Sequence, residues 1–243
     1  MKIAVDTHTH TLVSGHAYST MKEMIIAAQE KGLEALAITE HAPEIPGTCG
    51  LYHFQNYTVV PRDYDGLKLM LGTEANIMDV TGRIDMPDDV LATQDLVIAS
   101  MHTPSFGEGY SKEVITEAYV NVMKNPFVQI IGHPDDTRFP VDYDVLAQMA
   151  KETHTLLEIN NSSLSSNSFR QGARENYKKL LAKCKEKEVM MVMGSDAHID
   201  LDVGNNQLSS ALIKECDFPE ELIVNTSYEK LKAFLLKRLD LVF

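Results

Sequence analysis

Residues 3–10 read Ile-Ala-Val-Asp-Thr-His-Thr-His: a short apolar run that ends in two histidines spaced by one. A run this short, apolar and unalternated reads as a strand buried on both faces. Alternate residues of extended backbone share a face, so His8 and His10 leave the strand end pointing the same way. Outward from here the same kind of run recurs, giving candidate strands over 3–5, 36–39, 69–71, 96–99, 128–131, 156–159 and 189–192. Helical patterns lie between them. One covers 24–30, entered through a capping box at Thr20 and Glu23 and stopped at Gly32. Others cover 111–123, 143–153, 174–187, 206–215 and 228–239, the last with Leu231, Leu235 and Leu239 on one stripe. Strand–helix alternation implies a parallel α/β architecture. Seven such strands predict a distorted (β/α)7 barrel, TIM-like, with 1–243 as a single domain; an open doubly wound sheet is the rival. The length of 243 residues suits one barrel of roughly 250 residues. Segments 62–66 and 47–50 read as active-site loops.

The polar residues obey the same map. His8, His10 and His16 come after the first strand, His41 after the second, Glu74 after the third, His102 after the fourth and His133 after the fifth. Asp196 and His198 come after the seventh. In a parallel barrel the C-terminal strand ends share one rim, where barrel active sites lie. Imidazole and carboxylate together are the donor set for zinc, iron or manganese. Each match is weak taken singly: His-x-His can be coincidence, and a glutamate after a strand is more often a cap. Nine together at the ends of six strands point to one metal centre. One zinc takes about four ligands, so nine, with one bridging carboxylate, suit three ions. The resulting local positive charge would draw a small anionic substrate into an otherwise acidic protein.

That acidity is a formal net charge of -13, which disfavours nucleic-acid backbones and anionic membranes. No window approaches the roughly 18 apolar residues of a membrane span. No signal-peptide pattern precedes residue 3. Cys49, Cys184 and Cys216 form no Cys-x-x-Cys pair and fit reduced thiols, so a cytoplasmic location is expected.

The motifs Asp6–Thr7–His8–Thr9–His10, Thr39–Glu40–His41, Gly72–Thr73–Glu74, Gly132–His133–Pro134 and Gly194–Ser195–Asp196–Ala197–His198 carry a resemblance. With His16, His102 and Glu158–Ile159–Asn160–Asn161–Ser162, they cover essentially the whole chain. The chain resembles the PHP (polymerase and histidinol phosphatase) superfamily, and within it the YcdX-type phosphatases. The resemblance implies a distorted seven-stranded barrel and a trinuclear zinc site, with Mn2+ or Fe2+ admitted at some positions. One ion would take His8, His10, Glu74 and Asp196. A second would share Glu74 and add His102 and His133, and a third would take His16, His41 and His198. One departure is Glu40, where the family usually carries a shorter aspartate before the ligand histidine.

The expected reaction is hydrolysis of a small phosphomonoester by hydroxide held among the metal ligands, with no other catalytic residue assigned. Arg62, Arg138 and Asn161 are the candidate substrate-binding residues, since guanidinium matches phosphate oxygens. Surface salt bridges are the competing reading for the two arginines. Asn160 and Ser162 are candidate pocket residues. Asp6 and Glu40 are candidates to support ligands from behind, or ordinary strand-end caps. His53 reads as a packed loop histidine, with a proton donor to the site as the alternative, and His154 reads as a helix-end residue. A homo-oligomer is admitted. The rivals are an amidohydrolase-type barrel, which would expect a lysine carbamate where Glu74 stands, a PHP-type phosphodiesterase or nuclease, and a non-catalytic PHP module.

Overall fold

The computed structural model describes residues 1–242, with side chains through residue 238. Seven parallel strands succeed one another around a nearly closed barrel: β1 (Val5–Asp6), β2 (Ala35–His41), β4 (Leu67–Asn76), β5 (Leu96–Ser100), β6 (Ile130–Ile131), β7 (Leu156–Asn160) and β8 (Met191–Gly194). A short extra strand, β3 (Asp63–Tyr64), pairs antiparallel with the start of β4. Helices α1 (Met21–Glu30), α2 (Leu51–Gln55), α3 (Asp88–Leu91), α4 (Thr103–Phe106), α5 (Lys112–Val122), α6 (Tyr143–Thr153), α7 (Ala173–Lys187), α8 (Gln207–Glu215) and α9 (Tyr228–Val242) complete the chain. The capping box at Thr20 and Glu23 is formed and starts α1 at Met21. Leu231 and Leu235 of the α9 stripe are buried, while the Leu239 side chain lies outside the described residues.

Two apolar clusters show how the period of two divides each strand. Leu36, Ile38, Leu69, Leu71, Val97, Ala99, Leu157 and Ile159 belong to a core shared with the flanking helices. Val5, Ala35, Ala37, Met70, Leu96, Ile98, Ile130, Leu156 and Val192 form a second core, which takes one register of every barrel strand and is the lumen. Leu231, Phe234 and Leu235 of α9 join that second cluster and close the barrel at the N-terminal end of its strands. Burying each such side chain stabilises by roughly 1.5–3 kcal/mol. Along the same inward register, polar residues replace apolar ones toward the other end: Met70, Gly72, Glu74 on β4, and Leu156, Glu158, Asn160 on β7. The lumen is therefore dry below and ionisable above.

The seam between β1 and β8 is stitched differently. Near the rim, Asp196 N–H donates to His8 C=O at 2.9 Å and His10 N–H to Ala197 C=O at 2.8 Å. Lower down, Asn225 fills the gap. Its Nδ2 donates to Val5 and Met193 carbonyls at 2.8 and 2.7 Å, and its Oδ1 accepts Met193 N–H at 3.1 Å.

Segment 62–66 is not an active-site loop. It is the β3–β4 hairpin, turning through Asp65 and Gly66 at φ 52° and 92°, the left-handed pair that an Asp-Gly turn supplies. Because it precedes a parallel strand, it sits at the closed end. Segment 47–50 does lie at the rim, where Thr48 Oγ1 donates to His41 C=O at 2.6 Å. No helix among the described residues is long and apolar enough to cross a membrane.

Candidate metal centre

Glu74 stands at the middle of the rim with its two oxygens facing different partners. Oε1 lies 2.8 Å from His133 Nε2 and 3.3 Å from His102 Nε2. Oε2 lies 2.7 Å from His41 Nδ1, 3.4 Å from His8 Nε2 and 3.5 Å from His10 Nε2. Asp196 splits likewise. Its Oδ1 is 3.4 Å from His10 Nε2, while its Oδ2 accepts Arg170 Nη1 at 3.0 Å and Asn160 Nδ2 at 3.1 Å. His16 Nε2 lies 3.1 Å from His198 Nε2 and 3.2 Å from His41 Nε2. The nine residues predicted from the strand ends thus meet in one contiguous cluster. Two of them, His133 and Asp196, sit at positive φ of 28° and 57°, backbone strain held in place by the site around them.

Four imidazoles are anchored from behind through Nδ1. His8 meets Glu158 Oε1 at 2.7 Å, His10 meets Ser14 Oγ at 3.2 Å, His102 meets Asn76 Oδ1 at 2.7 Å, and His198 meets Asp196 C=O at 3.0 Å. An imidazole that donates from Nδ1 turns a bare Nε2 toward the centre when neutral. Ser14 can accept from His10 because its own hydroxyl donates to Glu40 Oε2 at 2.5 Å.

The donor arrangement tests whether metal fits. His8 and His10 Nε2 face each other at 3.1 Å although both rings are anchored at Nδ1. Two bare nitrogens at that separation repel unless a cation lies with them. Glu74 Oε2 is fully buried and ringed by imidazoles, yet among the described residues none of its contacts, His41 Nδ1 at 2.7 Å included, has hydrogen-bond geometry. Without an ion a proton takes that place. Burial alone would lower His8, but the carboxylates of Glu158, Glu74 and Asp196 outweigh it and hold the ring well above its usual range. His10 goes the other way, lowered by burial and by the neighbouring His41 and His198. Burial would raise the Glu74 and Asp196 carboxyls, yet the attraction of His8 for both, of His102 and His41 for Glu74, and of Arg170 for Asp196 holds both well below the ordinary range. Among the described residues three overlapping sets could each hold an ion: His10, His41 and His198; His8, His10 and Glu74; and His41, Glu74 and His102. The residues fit borderline divalent metals.

The substrate-binding expectations fare differently. Arg62 is far from the centre. Its Nε pairs with Asp95 at 2.6 Å and its Nη1 donates to the Tyr57 and Val60 carbonyls. It flanks Leu69, five residues before Glu74 on β4, or roughly 17 Å along the strand. Asn161 does not face the cavity either: its Oδ1 accepts from Leu208 N–H, Ser209 N–H and Ser209 Oγ, holding the first turn of α8. Arg138 does line the cavity, paired with Asp136 at 2.5 Å and Glu108 at 3.3 Å. Ser162 lines it too. Asp6 binds Ser195 and the Gly204 N–H, bracing the Asp196 turn without touching a ligand ring. His53 packs on Phe54 and Tyr57, and His154 ends α6 and stacks on Phe234 at 3.8 Å.

Two residues packed against the cluster are given no role by the sequence reading. Glu158 grips both His8 Nδ1 and the His133 N–H, the latter at 2.8 Å. A lone acid on the inward register of an otherwise apolar strand was the available signal. Arg170 lies beside Asp196, with Nη1 also reaching Ser163 Oγ at 3.1 Å and Asn160 Oδ1 at 3.4 Å. Its Nε and Nη2 meet no acceptor among the described residues, and it lines the cavity together with Arg138, Phe169, Met101, Pro104 and Ile45. That cavity holds about 500 Å³ directly over the ligand cluster.

Known proteins are similar to this chain. The family described as "PHP domain" matches residues 6–228. A "Probable phosphatase" of Caldanaerobacter subterraneus subsp. tengcongensis is 42% identical over 238 residues, 98% of this chain and 93% of that protein. A "Probable phosphatase" of Acetivibrio thermocellus is 43% identical over 238 residues, 98% of this chain and 97% of that one. Among solved structures, histidinol phosphate phosphatase from Lactococcus lactis, complexed with zinc, L-histidinol and phosphate, superposes with a TM-score of 0.63. It is 19% identical, covering 90% of this chain and 95% of its own, and shows the shared fold.

Proposed function

The chain belongs to the PHP domain family, and on that footing we propose that it is a metal-dependent phosphatase of small phosphomonoesters, built on a trinuclear zinc site. The whole chain, 1–243, acts in this reading as one metallohydrolase domain. The observation that carries it is the pair of anchored imidazoles, His8 and His10, with Nε2 atoms 3.1 Å apart beside the buried Glu74 Oε2. Relatives of near-identical length that are named phosphatases support the substrate class.

Glu74 would bridge two ions, one with His8, His10 and Asp196 and one with His102 and His133. His16, His41 and His198 would hold a third. Zinc, when bound, supplies a water acidified toward neutrality and positive charge for the phosphate oxygens. The chain's own residues do the rest. Arg170, clamped to Asp196 by one nitrogen, offers its remaining N–H groups to a phosphate oxygen at the cavity floor. Arg138 stands at the mouth, its charge shared with Asp136. Ile45, Met101, Pro104 and Phe169 form an apolar wall for the organic half and shed water from the reacting centre. The unpaired Cys49, Cys184 and Cys216 suit the reducing cytoplasm.

Elemental analysis of purified protein beside Glu74→Gln tests this reading. Three zinc ions per chain are expected, falling sharply in the variant together with phosphomonoester turnover. One ion per chain, a fully active variant, or turnover of diesters alone overturns it.

A further inference from the structure

The chain folds back after β4. Ile77 and Ile84 bridge antiparallel, and the return places Asp85 against Asn76. Asp85 Oδ1 accepts the Asn76 backbone N–H at 2.7 Å. Its Oδ2 accepts Asn76 Nδ2 at 2.7 Å and the Glu44 N–H at 2.9 Å. Ala42 C=O lies 3.5 Å from the same Nδ2. Both acceptors therefore face the amino half of the fully buried Asn76 amide, and its Oδ1 is left pointing at His102 Nδ1, 2.7 Å away.

An amide can be turned end for end within one outline, and the two orientations have opposite consequences here. With Oδ1 toward His102, the neutral ring carries its hydrogen on Nδ1 and presents a bare Nε2 to the Glu74 side. With Nδ2 toward His102, Nδ1 would have to accept, and Nε2 would carry the hydrogen and be lost as a ligand. A carboxylate has only acceptors, so Asp85 admits the first orientation alone. We infer that Asp85 is a positioning residue that selects the His102 tautomer through Asn76, and so sets the metal affinity of the His102–His133 position. It touches neither the ring nor the cavity. Asp85 stands 17 residues from His102 in the chain, and the Asn76 amide hydrogen-bonds to both.

The inference rests on His102 being a metal ligand, yet its first readout needs neither metal nor activity. Nitrogen-15 NMR of the chelator-stripped, full-length protein, with His102 identified by His102→Gln, should show hydrogen on Nδ1. Asp85→Ala should move that ring toward the Nε2–H form and weaken zinc binding at one position by roughly 10- to 100-fold. Asn76→Ala removes the relay but keeps the Asp85 contacts to backbone N–H groups, and should shift the ring likewise if Asp85→Ala does not fold. A wild-type ring protonated at Nε2 overturns the inference, as does an unchanged ring in either folded variant. A protein with the expected ring state and no phosphatase activity would overturn only the functional reading.

Discussion

Glu158→Gln replaces one oxygen with NH2 in a wholly buried side chain, at constant volume. In the wild type the carboxylate accepts three hydrogen bonds: His8 Nδ1–H at 2.7 Å, His133 N–H at 2.8 Å and Asn160 Nδ2 at 3.2 Å. Burial pushes this carboxyl upward, and the His8 ring and His133 outweigh it, so it stays ionised below its usual range. Glutamine has one acceptor oxygen, so its NH2 must oppose a donor. Opposed to His133 N–H, it leaves a buried donor unpaired, costing about 1–3 kcal/mol. Opposed to His8, it forces the hydrogen onto Nε2 and removes His8 as a ligand, a loss of roughly 10- to 100-fold in metal affinity. Melts of the chelator-stripped protein should fall by about 2–4 °C for each kcal/mol lost, and competition with a zinc chelator reads the affinity. A variant that matches wild type in both measurements would refute the reasoning, because no amide orientation satisfies all three donors.

Arg170→Ala should raise KM for phosphomonoesters at least tenfold, while Arg62→Ala leaves kcat and KM within twofold, since Arg62 pairs with Asp95 at the closed end of the barrel; steady-state kinetics on both variants decides, and a large Arg62 effect would contradict the placement. Asp135 is raised to about 7, first by burial, with Arg170, Tyr177 and Ser163 pulling the other way. A raised folded-state value gives stability present below the unfolded value near 4 and lost as pH climbs through 7. Metal-free wild type should therefore lose up to about 4 kcal/mol relative to Asp135→Asn between pH 4 and pH 7, measured by urea denaturation; parallel pH profiles would show that Asp135 does not titrate in that window.

The meeting of the nine residues in one cluster was legible because barrel geometry ties position in sequence to position in space: a residue just past the end of a parallel strand lies at one shared rim. The same rule, applied to Arg62, would have put it at the opposite end, because it precedes β4. The Asp65–Gly66 turn was the overlooked signal. Asn160 and Asn161 show how narrow the reading is. One residue of register separates a side chain bound to Asp196 from one that holds α8. Arg170 had no periodicity to announce it. It lies in an irregular polar segment ten residues beyond β7, and only the folded path returns it to Asp196.

Glu40 is where sequence and structure together sharpen the chemistry. In the sequence the acid stands out as one methylene longer than the family's usual aspartate, and as a candidate either to support the ligands from behind or to cap the strand end. In the fold it lies behind the ligands, where its carboxylate receives Thr11 N–H at 3.1 Å, Thr11 Oγ1 at 2.5 Å and Ser14 Oγ at 2.5 Å. Ser14 in turn accepts from His10 Nδ1 and from the His41 N–H at 3.1 Å. An aspartate on the same backbone would end about one C–C bond, ~1.5 Å, short of both hydroxyls. The extra methylene therefore lets one buried acid govern His10 through a serine, as Glu158 governs His8 directly and Asp85 governs His102 through an amide. Three acids at unrelated places in the sequence converge on one task, which is to keep the hydrogen on Nδ1 and the lone pair of Nε2 facing the centre.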